Sequence, residues 1–150
     1  MRAGTLCTRE VYLARSGDAL ADAAREMRRR HVGCLVVVEN AGKMAKPIGI
    51  LTDRDVVCGQ VRKGADLYCS TVADVMSTEL TTVREDEEVA DVIKQLARAA
   101  VRRAPVVNAT GDLVGILSMD DLLPAVAEDL ATLARLIGTQ SRMEQSKPNA

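Results

Sequence analysis

The feature that most constrains this chain is an internal repeat. Residues 6–38 align with residues 75–107 at a constant offset of 69. Two matching octapeptides, GILTDRDV from Gly49 and GILSMDDL from Gly115, follow at an offset of 66, because the first copy carries three extra residues in the preceding loop. Each copy of about 60 residues is too short to bury a large core alone. The repeat therefore predicts two similar halves that pack against each other.

Both copies predict the same order of elements. Short strands are followed by helices with apolar residues at i, i+3, i+4 and i+7, and Asp18 and Asp86 are the predicted N-caps. Apolar runs then indicate buried strands, and glycine turns lead to a third strand and a second helix. The predicted ranges are 11–13, 18–30, 34–38, 48–51 and from 53 in the first copy, and 80–83, 86–99, 104–107, 113–117 and from 119 in the second. The fold class is α/β (α+β), with two β-α-β-β-α repeats.

The expected organisation is a first repeat over residues 4–61, a linker over 62–70, a second repeat with a C-terminal helix over 71–137, and a disordered tail over 138–150. Pro124 suits the first turn of that C-terminal helix. Its apolar stripe packs on the chain's own body or forms a dimer seam. The stripe consists of Leu123, Val126, Leu130, Leu133 and Ile137, spaced 3, 4, 3 and 4 residues apart.

Composition argues against several classes of protein. The net charge of −1 provides no electrostatic footprint for nucleic acid or an anionic membrane. No apolar run approaches the roughly 20 residues that span a bilayer, and the N-terminus lacks the apolar core of a signal peptide, so we expect a cytoplasmic protein. The four cysteines form no C-x-x-C pair and the single histidine, His31, has no cysteine at ligand spacing, so we expect free thiols and no metal site.

The repeated octapeptide has two interpretations. Thr52 with Asp55, and Ser118 with Asp121, fit capping boxes that start two helices. The same hydroxyl lies beside unpaired backbone N–H groups, which favour an anion, and the carboxylate one turn later suits the vicinal hydroxyls of a ribose. The two interpretations are compatible, because an empty site can cap its own helix.

The duplicated order of strand, helix, HVGCLVVV or VRRAPVV strand, turn glycine and G-h-h-[ST]-x-x-D resembles a tandem pair of CBS domains, a regulatory module named after cystathionine β-synthase. The resemblance covers roughly residues 4–123. It implies two repeats packed about a pseudo-twofold axis, with two clefts for adenosine ligands: AMP, ADP, ATP and sometimes S-adenosylmethionine. It also implies a homodimer of modules.

The resemblance further implies which residues line each cleft. Cleft A is expected to comprise Thr52, Arg54, Asp55, Thr81, Val101, Arg102 and Arg103. Cleft B is expected to comprise Tyr12, Val32, Gly33, Cys34, Ser118, Asp120 and Asp121.

The charges of the two expected clefts differ. Cleft A contains up to three arginines, whose guanidinium groups suit phosphate. Cleft B contains no arginine in this assignment, and Asp120 stands where cleft A has Arg54. A phosphorylated nucleotide should therefore prefer cleft A, whereas cleft B should be empty, weaker or suited to a less anionic ligand.

No nucleophile–base constellation, P-loop or G-x-G-x-x-G motif is present, so we expect no catalytic residues and no required cofactor. The expected function is a regulatory sensor of AMP, ADP or ATP that acts on a separate effector protein. The alternatives are a ligand-free dimerisation scaffold, an S-adenosylmethionine-binding module and an enzyme of unrecognised type. The arginines of cleft A favour the sensor over the scaffold.

Overall fold

A computed structural model describes residues 1–40, 42, 44–64 and 66–146 of the chain. The helices are α1 (Ala3–Leu6), α2 (Leu20–Arg30), α3 (Asp53–Lys63), α4 (Val72–Val75), α5 (Val89–Ala99) and α6 (Met119–Gln145). The strands are β1 (Leu13–Ala14), β2 (Cys34–Val38), β3 (Pro47–Thr52), β4 (Val83–Arg84), β5 (Arg103–Val107) and β6 (Leu113–Ser118).

The strands form two three-stranded sheets of identical topology, with orders β1-β2-β3 and β4-β5-β6. In each sheet the first pair is parallel and the second is antiparallel. A register shift falls at the same place in both, between Val37 and Val38 and between Val106 and Val107. The predicted α/β class and the duplicated β-α-β-β-α order are therefore confirmed.

The predicted N-caps are wrong. Helices α2 and α5 begin two and three residues after Asp18 and Asp86, and neither helix has a side-chain cap. Both carboxylates are engaged in the turn before the helix. Asp18 accepts a hydrogen bond from the backbone N–H of Arg15 at 2.8 Å, and Asp86 pairs with the guanidinium of Arg84 at 2.9 Å.

Each apolar core is completed by the short helix that precedes the other repeat. Helix α4, next to the second repeat in sequence, packs Val72 and Val75 into the core of the first repeat. Helix α1 likewise packs Ala3, together with the adjoining Cys7, into the core of the second repeat. Each repeat is therefore completed by a short helix that precedes the other repeat in the sequence.

The glycines that open the octapeptides allow the segments that follow α1 and α4 to approach the sheets closely. A Cβ on Gly49 would lie 2.7 Å from the carbonyl oxygen of Ser77. A Cβ on Gly115 would lie 2.6 Å from Cys7 Sγ and 2.9 Å from the carbonyl oxygen of Thr8. The two contacts are equivalent in the two repeats, so the motif glycine serves chain packing.

The repeats also contact each other through their sheets. Successive side chains of a strand point to opposite faces. Leu35 and Val37 of β2 therefore belong to the core of their own repeat, whereas Val36 and Val38 join a separate cluster that includes Ile116 of the second repeat. This contact holds the ends of the two sheets on either side of a cleft.

Helix α6 corrects the expectation for the C-terminal region. It is one continuous helix from Met119, so Pro124 is its sixth residue and does not lie in its first turn. The missing N–H of Pro124 removes one bond, to the carbonyl of Asp120 four residues earlier. The helix continues to Gln145 through part of the segment expected to be a tail; residues 147–150 lie outside the described residues, as does residue 65 of the expected linker.

The apolar stripe of α6 contacts the chain's own body only at its start, where Val126 is half-buried and lines a groove between α5 and α6. The exposed fractions of Leu123, Leu130, Leu133 and Ile137 are 58–67 %, and the helix leaves the body after Val126. Despite its length, α6 does not qualify as a bilayer-spanning segment, and neither does any other helix in the described part of the chain.

Candidate functional site

A cavity of about 350 Å³ opens between the two repeats. All seven residues predicted for cleft B line it: Tyr12, Val32, Gly33, Cys34, Ser118, Asp120 and Asp121. The structure therefore brings together residues that are up to 109 positions apart in the sequence.

Strand ends and helix starts position these side chains. Tyr12 directly precedes β1, Val32 and Gly33 lie in the turn from α2 into β2, and Cys34 begins β2. Ser118 ends β6, and Asp120 and Asp121 lie in the first turn of α6. Because α6 begins in the cavity, a bound ligand would meet both its N-terminal backbone N–H groups and its first carboxylates.

Both octapeptides form the expected capping boxes. Asp121 Oδ2 accepts hydrogen bonds from the backbone N–H of Ser118 at 2.8 Å and from its hydroxyl at 2.7 Å. Asp55 Oδ2 accepts from the backbone N–H of Thr52 at 2.9 Å, and Thr52 Oγ1 accepts from the N–H of Asp55 at 3.1 Å. Residues Thr71–Asp74 form another capping box outside the octapeptides, so this four-residue pattern alone does not mark a cleft.

Arg103 was predicted for cleft A and not for cleft B. Arg103 lines the cavity of cleft B, where its Nη1 donates a hydrogen bond to Cys34 Sγ at 3.1 Å. The two residues are separated by the repeat offset of 69, so they occupy equivalent positions in the two repeats. Equivalent residues touch only near the pseudo-twofold axis. Arg103 therefore lies at the axis, and the expectation that cleft B lacks an arginine is wrong.

The other six residues predicted for cleft A do not line this cavity. Arg54 and Arg102 are exposed, whereas Thr81 and Val101 are half-buried. Thr52 and Asp55 are half-buried at the start of α3. Their grouping into a second nucleotide site stays a prediction.

Carboxylates outnumber cations along the cavity. Asp120, Asp121 and Glu10 line it together with the single guanidinium of Arg103. The hydrogen bond with Cys34 raises the pKa of Arg103 above its already high value, so this cation persists at every pH at which the protein is handled. The wall can neutralise part of a ligand's negative charge, but it repels a ligand with several negative charges.

Tyr12 is the aromatic residue of the cavity wall. Its hydroxyl donates a hydrogen bond to Glu10 Oε1 at 3.0 Å, and this bond is the main reason that the pKa of Tyr12 is raised. The guanidinium of Arg30 lies 4.9 Å from the centre of the ring. The phenol is thus held at both its edge and its face.

Sequence reasoning missed five lining residues: Thr8, Glu10, Val11, Val36 and Ile116. A signal was present for two of them, because Thr8, Glu10 and Tyr12 alternate along an extended segment and so share one side. His31 is exposed and is the C-cap of α2, with a φ of 55°.

Comparison with known proteins matches this architecture to a family. The family model described as CBS domain matches residues 3–59 and again residues 72–128. The chain belongs to the CBS-domain family. The resemblance inferred from the duplicated motifs is therefore confirmed, and the chain is a tandem CBS pair.

Individual relatives agree with the match. An uncharacterized protein of Methanopyrus kandleri is 32% identical over 130 residues, which are 87% of this chain and 65% of that protein. The structure of the cytosolic domain of the Mg²⁺ channel MgtE in complex with ATP aligns with a TM-score of 0.70 at 29% identity, over 83% of this chain and 48% of that one. The CBS domain pair of protein MJ0100, in complex with 5-methylthioadenosine and S-adenosyl-L-methionine, has a TM-score of 0.73 at 21% identity, over 86% and 98% of the two chains, which supports the fold alone.

Proposed function

We propose that this CBS pair is a regulatory module that binds an adenosine-containing ligand between its repeats and acts on a separate effector protein. The observation that carries the proposal is the cavity between the repeats. The cavity brings together the N-terminus of α6, the guanidinium of Arg103 and the carboxylate of Asp121, which is suited to the hydroxyls of a ribose. The ATP complex of the MgtE cytosolic domain supports a ligand of the adenosine class.

The lining of the cavity favours an adenosine ligand of low negative charge. Arg103 suits a single phosphate or carboxylate group, whereas Glu10, Asp120 and Asp121 oppose a long polyphosphate. We therefore assign AMP or S-adenosylmethionine, which carries a sulfonium cation, to cleft B. ADP and ATP are assigned to cleft A, where Arg54 and Arg102 are exposed and available to phosphates.

The proposed output is regulatory. No catalytic group is assigned, and a homodimer in the cytoplasm is the proposed working form. Because α6 starts in the cavity and extends to Gln145, it is the element through which an occupied cleft B would act on the rest of an assembly.

Isothermal titration calorimetry with AMP, ATP and S-adenosylmethionine tests the ligand assignment. Asp121→Asn and Asp55→Asn form a matched pair, because each aspartate completes the equivalent capping box. Loss of a hydrogen bond with a charged group costs about 1.5–3 kcal/mol, which is roughly 10-fold to 150-fold in affinity. We expect Asp121→Asn to weaken AMP or S-adenosylmethionine by that factor and Asp55→Asn to weaken ATP.

Equal effects of the two variants on every ligand would refute the division between the clefts. The ligand-free scaffold is the second candidate. It is favoured because the carboxylates of Asp55 and Asp121 already accept hydrogen bonds within their own capping boxes. Absence of heat with all three ligands at millimolar concentration would select the scaffold.

A further inference from the structure

The groove between α2 and α3 of the first repeat is a concave surface that the ligand site does not explain. Its volume is about 630 Å³. The buried side chains of Met27 and Val56 form its floor, and Val57, which is 60 % exposed, lies along it. Aliphatic surface that is open to solvent in this way suits the apolar side chains of a partner.

The α2 edge of this groove is basic. Arg28 and His31 line both the groove and an adjoining cavity of about 360 Å³, which Arg25 and Arg29 complete. All four side chains belong to exposed residues. Within the described part of the chain, the guanidinium of Arg28 and the ring of His31 have neither an ion-pair nor a hydrogen-bond partner. These two groups are therefore available to an incoming anion.

The nearby acids leave that positive charge uncompensated. Asp22 and Glu26 of α2 line a different cavity and pair with neighbouring arginines of the same helix. Asp53 lines the groove, but its carboxylate accepts a hydrogen bond from the backbone N–H of Arg54 at 2.8 Å. Asp53 also lies close enough to Arg103 to raise the pKa of that guanidinium.

The second repeat shows that the fold does not require these charges. The equivalent positions on α5, at the repeat offset of 69, carry Ala97 and Ala100 in place of Arg28 and His31. Basic residues in the last turn of a helix favour its dipole, but α5 has the same length as α2 with Arg98 as its basic residue there. The basic edge of the first repeat therefore calls for an explanation outside the fold.

The charges argue against a second copy of this chain as the occupant. In a twofold contact the same surface meets itself, so the two basic edges would lie against each other and repel. Nucleic acid would neutralise the cations, but its phosphate backbone would leave the aliphatic floor without an apolar partner. An acidic protein segment with apolar side chains along one side satisfies both the edge and the floor.

The groove shares a wall with cleft B. Val32 and Gly33, in the turn from α2 into β2, line both cavities. A ligand in cleft B and a partner in the groove would therefore contact the same turn. Coupling of this kind is reciprocal, because each occupant changes the affinity of the other by the same factor.

We infer that the groove between α2 and α3 docks an acidic, amphipathic segment of the effector protein, with carboxylates against Arg28 and His31 and apolar side chains against Met27 and Val57. The inference rests on the proposed effector but requires no ligand. Its tests are run without nucleotide, so their failure leaves the ligand assignment of cleft B untouched, and failure of the ligand titrations leaves the docking site untouched.

Fluorescence anisotropy with a labelled model peptide tests the docking. The probe has Leu at positions i, i+3, i+4 and i+7 and Glu elsewhere, and the comparison probes are its Lys counterpart and a single-stranded DNA oligonucleotide. The full chain should bind the Glu peptide at least about 10-fold more tightly than either comparison probe. Equal binding of the two peptides, tighter binding of the DNA, or no binding of the Glu peptide at millimolar protein would overturn the inference.

A pair of double variants with the same change in charge locates the site. Arg25→Gln/Arg28→Gln should weaken the Glu peptide about 10-fold, the lower end of what charge-assisted hydrogen bonds contribute. Lys94→Gln/Arg98→Gln removes two exposed charges from the equivalent helix α5 and should leave the affinity nearly unchanged. Equal losses would reduce the binding to the net charge of the chain. A changed mass of the first variant alone in sedimentation velocity would make the groove a contact between copies; either result contradicts the docking site.

Discussion

Replacing Arg103 with glutamine would separate the contribution of the phosphate to ligand affinity in cleft B from the contribution of the nucleoside. Among the described residues, Arg103 provides the guanidinium group that lines the cavity, and it is held at the axis by its 3.1 Å hydrogen bond with Cys34. A hydrogen bond with a charged partner contributes about 1.5–3 kcal/mol, or roughly 10-fold to 150-fold in the dissociation constant. Because Arg103 is only half-buried, solvent screening places the expected loss near 10-fold.

The assay is calorimetric titration with AMP and with adenosine, which share the nucleoside and differ in the phosphate. Arg103→Gln should weaken AMP about 10-fold and leave adenosine nearly unchanged. Arg98→Gln, at the exposed end of α5, removes the same charge away from the cavity and serves as the control. The unfolding midpoint of each variant shows that the fold persists. An equal loss for AMP and adenosine, or no loss for either, would refute the role assigned to Arg103.

Three further predictions concern packing and chemistry. Gly49→Ala should destabilise the fold by about 1–3 kcal/mol through overpacking, read as a lower melting temperature, whereas Gly17→Ala, with open space around the new Cβ, should be nearly neutral. Ala100→Gly should stabilise the protein by about 1 kcal/mol in chemical denaturation, because Ala100 ends α5 at a φ of 53°, a left-handed conformation that costs an L-residue energy. Burial raises the pKa of the Cys7 thiol, so less thiolate forms at a given pH, and a thiol reagent followed by mass spectrometry should modify the exposed Cys69 first; earlier modification of Cys7 would contradict its burial.

Most of the fold was predictable because its signals are local and occur twice. The apolar run at residues 34–38 and the octapeptide at Gly49 specify a strand, a further strand and a helix from neighbouring residues. The second copy repeats those signals with different residues, which separates the pattern from chance. The positions of the N-caps failed for the opposite reason, because Asp18 and Asp86 have partners in the preceding turn that compete with capping.

The residues of cleft B were predicted as a set from the resemblance to CBS domains, and all seven line one cavity. The presence of Arg103 in this cavity was not predicted, because it depends on how side chains near the axis pack against each other. The structure shows that Arg103 contacts Cys34 there. That contact changes the charge of the cavity, and with it the ligand that the cavity favours.

The sequence alone therefore determined the duplicated unit and the helix starts at the two octapeptides, because these depend on spacing within a repeat. Only the tertiary structure decided which helix completes which core, why the motif glycines cannot carry a side chain, and where α6 leaves the body. Those features depend on contacts between segments that are distant in the sequence, such as Gly49 against Ser77 and Cys7 against Gly115. Such contacts are set by how the two repeats pack, which no local pattern encodes.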